Sequence, residues 1–250
     1  MSKMRRVVIM QARMTSSRLP GKVLMEVAGR PMLVQQLRRL KQCREVQDIV
    51  VATTTNAADD AVTDVAHREG VRFFRGSEAD VLSRFVGAAK EAKADVVVRV
   101  TADCPLMDPQ VTDRVILELV DHADECDYAS NVLRRTYPQG LDVEAFFCDV
   151  LLRMDRLARS QLAREHVTVV LRSERSGVFL CRSVEDTQNN ADMRWTVDTP
   201  EDLEFVRRLY AALDLGEQQT SHREIIDYLR GHIDLMQINA GIKTWEPPVR

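Results

Sequence analysis

No run of apolar residues in this 250-residue sequence is long enough to span a bilayer, and its five cysteines, Cys43, Cys104, Cys126, Cys148 and Cys181, form no CxxC pair. An odd, scattered set of thiols points to free cysteines in a reducing cytoplasm. The basic, then apolar opening MSKMRRVVIM has too short an apolar part for a secretion signal and passes directly into a charged loop. An excess of one charge is also missing. Against 35 Lys and Arg stand 38 Asp and Glu, a net charge of −3, which leaves no global field to draw the chain to nucleic acid or to a membrane. Any anion site must therefore be local. Aromatic residues are only 5% of the chain, and none interleaves the basic stretch QLRRLKQCR, which reads as the wet face of a helix. With no internal repeat, low-complexity tract or Gly/Ser linker, residues 1–250 are expected to form one domain.

What is present is a rhythm. The apolar runs RVVIM, DIVVATT, VRFF and DVVVRVT alternate with the helical patterns PMLVQQLRRLKQ, DDAVTDVAHREG, DVLSRFVGAAKEAK and PQVTDRVILELVDHA. This order predicts a parallel sheet covered by helices on both faces, and continuous rather than alternating apolar strands agree with burial on both sides. Asp108-Pro109 and Thr199-Pro200 each place a capping side chain before a proline suited to the first helical turn. From Tyr128 to about Val184 the rhythm loosens. YPQGLDVEAFF reads there as a loop and strand, EHVTVVLR as either helix or strand, and the whole stretch of about 128–184 as a small inserted lobe. A helical tail follows over about 213–250, and its end, GIKTWEPPVR, packs on the body or on a second copy in a homodimer.

Ligands of open α/β sheets bind beyond the carboxyl ends of the strands, so the residues just after each apolar run carry the functional reading. After RVVIM comes QARMTSSRLPGK, Gln11 to Lys22. Arg13, Arg18 and Lys22 bring positive charge, while Pro20 and Gly21 shape a turn that lets backbone N–H groups approach a ligand. Phosphate is the expected tenant, with a solvated basic loop as the alternative. The loop is no Walker motif, which requires glycine at position 16 and a hydroxyl at 23, where Ser16 and Val23 stand. After DVVVRVT comes Asp103, and after MRWTV, taken as a strand, comes Asp198. Two remote carboxylates at equivalent strand-to-helix positions fit the one or two that Mg²⁺ takes when it rides on a nucleotide. Capping of the next helix is the other reading of Asp198. Cys104 is expected to pack, and Trp195 and Tyr137 either stack on a ligand or join the core.

The segments QARMTSSRLPGKVL, DVLSRF, VRVTADCPLMDP, YPQGLDVEAF, REHVT and WTVDTPEDLEFV resemble, in order, the motifs of the SpsF-like cytidylyltransferases, a branch of the superfamily of CMP-sialate and CMP-Kdo synthetases. The resemblance spans about Arg5 to Tyr210. It implies an α/β fold: a Rossmann-like nucleotidyltransferase of GT-A type, a three-layer sandwich with a mostly parallel central sheet and a small acceptor lobe. It also implies binding of CTP with Mg²⁺ and transfer of CMP to a small-molecule acceptor with release of pyrophosphate. Under it, the phosphates fall to Arg13, Arg18 and Lys22, the base lies near Gln11 and Ala12, and Asp103 and Asp198 hold the metal. Arg75, Asp80 to Arg84 and Thr101 then border the nucleotide, and Tyr137, Gly140, Asp142, Glu144 and His166 face the acceptor. Arg13, Lys22 and Asp103 carry the catalysis.

That chemistry is in-line attack of an acceptor oxygen on the α-phosphorus, with charge building on the departing pyrophosphate and cations placed to meet it. His166 suits a general base, although an acidic acceptor of surface-glycan biosynthesis that attacks through an ionised oxygen needs none. A nucleotide-sugar glycosyltransferase shares the architecture, but the sequence holds no DxD. An inactive nucleotide-binding protein is the third reading, and retention of Lys22, Asp103 and Asp198 argues against it.

Overall fold

In the computed structural model, which describes residues 4–174 and 177–243, the predicted rhythm appears element by element. The chain runs through β1 (Arg6–Gln11), a two-strand hairpin of β2 (Glu26–Val27) and β3 (Arg30–Pro31), α1 (Met32–Leu40), β4 (Asp48–Thr54), α2 (Asp60–Arg68), β5 (Arg72–Gly76), α3 (Val81–Ala92), β6 (Val96–Thr101) and α4 (Pro109–Asp121). The looser region supplies β7 (Tyr128–Ser130), β8 (Glu144–Phe147), α5 (Cys148–Leu157), α6 (Gln161–Glu165) and β9 (Cys181–Ser183). Helices α7 (Pro200–Ala212), α8 (His222–Gly231) and α9 (Ile233–Gln237) close the described chain.

Among the described residues seven strands form one sheet in the order β5-β4-β1-β6-β8-β7-β9. Neighbours pair in parallel from β5 to β6, β8 runs against both β6 and β7, and β9 is parallel to β7. The inserted stretch thus contributes three strands to the main sheet. Strand alternation sorts the core into two layers. Val8, Met10, Val98 and Val100 meet Leu33, Leu37, Val62 and Ile116 on one face, while Val7, Ile9 and Val97 meet Phe85, Ala89, Leu151 and Met154 on the other. A third cluster, around Trp195, Phe205 and Leu209, is sealed by Ile225, Ile226 and Leu229 of α8, so the helical tail completes a core. Its last seven residues, 244–250, which hold most of GIKTWEPPVR, lie outside the described residues.

Two segments depart from the expectation. MRWTV is extended but joins no ladder; it touches the loop before β8 through a single bridge, Gln139 to Arg194. Its period-2 pattern serves packing instead, because Met193, Trp195 and Val197 enter the third cluster and leave the alternate positions Arg194, Thr196 and Asp198 for polar contacts. EHVTVVLR is neither strand nor α-helix. Val167 takes a left-handed φ of 46°, and residues 170–174 wind into a wide π turn. Val167, Val169, Val170 and Leu171 are all buried, so the run has no polar face from which a period could be read.

Candidate active site

The opening loop leaves β1 at Gln11 and is pinned from behind by Asp59. This buried carboxylate accepts from the Met14 amide at 2.7 Å and from the Thr54 amide and hydroxyl at the end of β4. Gly21 sits at φ 72°, and its amide bonds back to the Met14 carbonyl at 2.8 Å, closing the loop. A side chain at that φ is disfavoured. The turn delivers Lys22 inward, where only 7% of the residue stays exposed.

Lys22 is where the remote carboxylates meet. Its ammonium donates to Asp103 Oδ2 at 2.9 Å, to Asp198 Oδ1 at 2.9 Å and to the Val197 carbonyl at 2.8 Å. Asp103 follows β6, and its other oxygen accepts from the Thr101 hydroxyl at 2.5 Å. Asp198 presents Oδ2 to Arg18 at 3.0 Å and to Arg194 at 2.9 Å. Behind them the Val197 amide donates to the Asp103 carbonyl at 2.8 Å, tying the two carboxylate-bearing turns together. Burial opposes ionisation of Asp103, but Lys22 and Thr101 outweigh it and hold the pKa at about 2. Burial likewise disfavours the charged amine of Lys22, and the two aspartates more than reverse that, raising its pKa.

A cleft of about 260 Å³ opens over this cluster, lined by Gln11, Ala12, Arg13, Arg18, Arg84 and Thr101 together with Lys22, Asp103, Asp198 and His166. Arg84 of α3 is buried among them. Burial first, then Arg13, pushes its pKa down to about 10. The cleft continues into a larger one of about 850 Å³, and Gln11, Arg18, Thr101, Asp103, His166 and Asp198 belong to both. Gly140, Asp142 and Glu144 line the larger cleft. Gly140 is required there: at φ 107°, a Cβ would lie 2.6 Å from the Thr196 amide nitrogen. Asp142 holds Arg135 through both oxygens, at 2.6 and 2.9 Å. Glu144 accepts from Arg99, from the Tyr128 hydroxyl at 2.6 Å and from Thr168 at 2.7 Å. Burial works against this carboxylate, yet Arg99 and Arg172 keep its pKa at about 2. His166 is shifted down, by burial and then by Arg99, Arg172 and Arg13 against the pull of Glu165.

Three expected residues are elsewhere. Arg75 is tied to the Thr54 and Asn56 carbonyls and to Asp60, on the α2 side of the sheet edge. Asp80 caps α3 through the Ser83 amide and pairs with Arg164. Tyr137 is 2% exposed in the third core cluster, with its hydroxyl on Arg114, rather than on the acceptor cleft. A ring beside Pro138 and Gly140 reads as a ligand platform, but it turns inward to fill that core. Arg99, Arg172 and Asp59 also belong to the walls of the site, and no motif of the sequence singles them out. Arg99 did leave a trace, as the one charge inside the apolar run DVVVRV of a buried strand. The other two left none.

The donor set suits a hard dication: two carboxylates that converge on one point, with room beside them for phosphate and water oxygens. Among the described residues no third acidic, cysteine or histidine ligand joins them. A cationic loop, two remote aspartates and an adjoining polar cleft at the carboxyl ends of parallel strands define a nucleotide-using transferase. Residues 7–230 match the cytidylyltransferase family, and the chain belongs to that family. It is 32% identical to the spore coat polysaccharide biosynthesis protein SpsF of Bacillus subtilis, over 90% of this chain and 94% of that one. The solved cytidylyltransferase from Leptospira borgpetersenii is 28% identical and superposes with a TM-score of 0.88 over 97% of this chain and all of that one. A CMP:2-keto-3-deoxy-manno-octonic acid synthetase solved with CTP, 23% identical, shares the fold with a TM-score of 0.64 over 84% of this chain and 99% of that one.

Proposed function

We propose that this cytidylyltransferase moves CMP from CTP to a small acidic acceptor, a sugar acid, phosphate or phosphonate of surface-glycan biosynthesis, with Mg²⁺ and with release of pyrophosphate. One observation carries the reading: Asp103 and Asp198 stand on the seam shared by the two clefts, where a donor phosphate on one side meets an acceptor oxygen on the other. When bound, Mg²⁺ held by these two residues supplies charge neutralisation at the phosphates. Arg13 and Arg84 favour the triphosphate, and Lys22 is within reach of the leaving group. Gln11 and Ala12 border the base. Arg99 bridges the clefts, bonding Glu144 on one side and Gln11 at 3.3 Å on the other, so acceptor and nucleotide share one rigid wall. No helix among the described residues is long and apolar enough to cross a membrane, and we place the reaction in the cytoplasm.

The test is CTP-dependent pyrophosphate release in the presence of Mg²⁺ and a panel of acidic acceptors, preceded by thermal-shift comparison of the four NTPs. CTP should give the largest shift. Asp103→Ala and Lys22→Ala should each lower turnover at least about a hundredfold, about 2.7 kcal/mol of transition-state stabilisation, with the circular-dichroism spectrum unchanged. Full turnover in both variants, or release that requires a nucleotide-sugar, overturns the assignment.

A further inference from the structure

We infer that Lys22 stands in for the divalent cation: in the free protein its ammonium occupies the position between Asp103 and Asp198, so metal enters only together with the nucleotide triphosphate, which draws the lysine off the carboxylates. The inference rests on the cytidylyltransfer reading above and concerns the order in which that site fills.

An ammonium has three protons to donate, and each is placed, on Asp103, Asp198 and the Val197 carbonyl, at 2.8 to 2.9 Å. The amine is therefore a ligated cation inside the carboxylate pair rather than a loop charge waiting in solvent. The remaining carboxylate oxygens are also engaged, by Thr101 on Asp103 and by Arg18 and Arg194 on Asp198. Counted together, Lys22, Arg18 and Arg194 balance Asp103, Asp198 and Asp202, the last being the buried partner of Arg194 at 2.8 Å. A neutral cluster offers no surplus negative charge to hold a bare dication.

A magnesium triphosphate differs on both counts. It brings phosphate oxygens as ligands and carries net negative charge, and the cleft holds cations with little to neutralise them. Arg84 is 2% exposed, bonds the Ser77 carbonyl at 2.9 Å and has no hydrogen-bond partner for its Nε among the described residues. Among the described residues Arg13 reaches an acidic partner only in Glu78, at 3.8 Å, from a side chain 38% exposed. Triphosphate oxygens would meet these guanidinium groups and accept the amine that metal displaces. Lysine suits the exchange, being a point charge on a flexible four-carbon stem.

The experiment counts bound Mn²⁺ by electron paramagnetic resonance in the full chain, wild type and Lys22→Met, without nucleotide, and measures CTP affinity by calorimetry with and without Mn²⁺. Without nucleotide, Lys22→Met should bind Mn²⁺ at least about tenfold more tightly than wild type. Equal Mn²⁺ affinity in the two proteins overturns the inference and leaves the transfer reading standing. CTP that fails to bind under any condition removes the transfer reading instead. Should Lys22→Met not fold, the wild type decides alone: millimolar Mn²⁺ should move its melting temperature only when CTP is present, and an equal shift without CTP overturns the inference.

Discussion

At the scale of single residues, the site depends on side chains whose identity was legible and whose partners were not. Arg13, Arg18 and Lys22 stand out in the opening loop as three cations around a Pro-Gly turn, a pattern that a phosphate site and a solvated basic loop share. Nothing in that loop says that Lys22 reaches two aspartates 81 and 176 positions away. Gly140 is the converse case, a residue whose need is purely steric. Gly140→Ala should lose about 1–3 kcal/mol of stability, because the new Cβ meets backbone at 2.6 Å in a left-handed conformation. Urea unfolding measures this, and turnover should fall alongside, since Thr196 lies two positions before Asp198. His166 invites a different experiment. Its pKa is lowered by burial and by three arginines, so the ring is neutral near pH 7, the form that accepts a proton. With an acceptor that attacks through a hydroxyl, kcat/KM of wild type should rise with pH along an acid limb whose midpoint lies below 6.5. His166→Gln should lose that limb; if it keeps the same acid limb, His166 is a contact and not a base.

Whole elements were the most legible, and the reason is period. β1, β4 and β6 sit where apolar β-branched runs lie between helical patterns, β5 where the short run VRFF does, and α4 and α7 begin at their Asp-Pro and Thr-Pro signals. Reading failed where apolar residues had two masters. MRWTV alternates like a strand but pairs with nothing beyond one bridge, because its apolar positions are claimed by α7 and α8 packing and its polar ones by the site. The centre of EHVTVVLR, Val167 to Leu171, is buried on every side and so carries no period at all. The start of α7 shows how an element positions chemistry. Thr199 accepts from the Asp202 amide, Asp202 returns to the Thr199 and Asp198 amides, and the same carboxylate grips Arg194, which holds Asp198. Thr199→Ala should cost about 1 kcal/mol in urea unfolding, the ordinary loss of an N-cap. A larger effect is expected on turnover than on stability, because the cap fixes the turn that carries Asp198. Turnover within twofold of wild type would show that Asp198 is held by its cations alone.

On the scale of the molecule, the α/β sandwich followed from the order of patterns, while the placement of the lobe did not, because β8 joins the main sheet by antiparallel pairing with β6, a choice no local pattern encodes. That junction puts Glu144 opposite Arg99 across β6 and β8 and makes a buried ion pair part of the sheet itself. Its consequence is a stability that depends on pH. Glu144 and Asp103 are each held at about 2, below 4.5 and 3.8 respectively, so both bind protons more readily in the unfolded chain. Their contribution is complete above about pH 5 and is lost as pH falls toward 2. Lys22 has the opposite sign: its pKa is raised above 10.5, so its contribution is complete below that value and is lost only at higher pH. With respect to these groups the urea midpoint should be level from about pH 5 to 9 and fall steeply below pH 4.5. Glu144→Gln isolates the largest acid component. At pH 7 the variant should be less stable than wild type by about 3 kcal/mol, the order set by a shift of this size for a buried carboxylate. As pH falls toward 2 the wild-type carboxylate takes up its proton, the two proteins come to carry the same charge, and the gap should close. A gap that stays constant from pH 7 to pH 2 would mean that packing of the side chain, rather than its charge against Arg99 and Arg172, is what the sheet requires at this position.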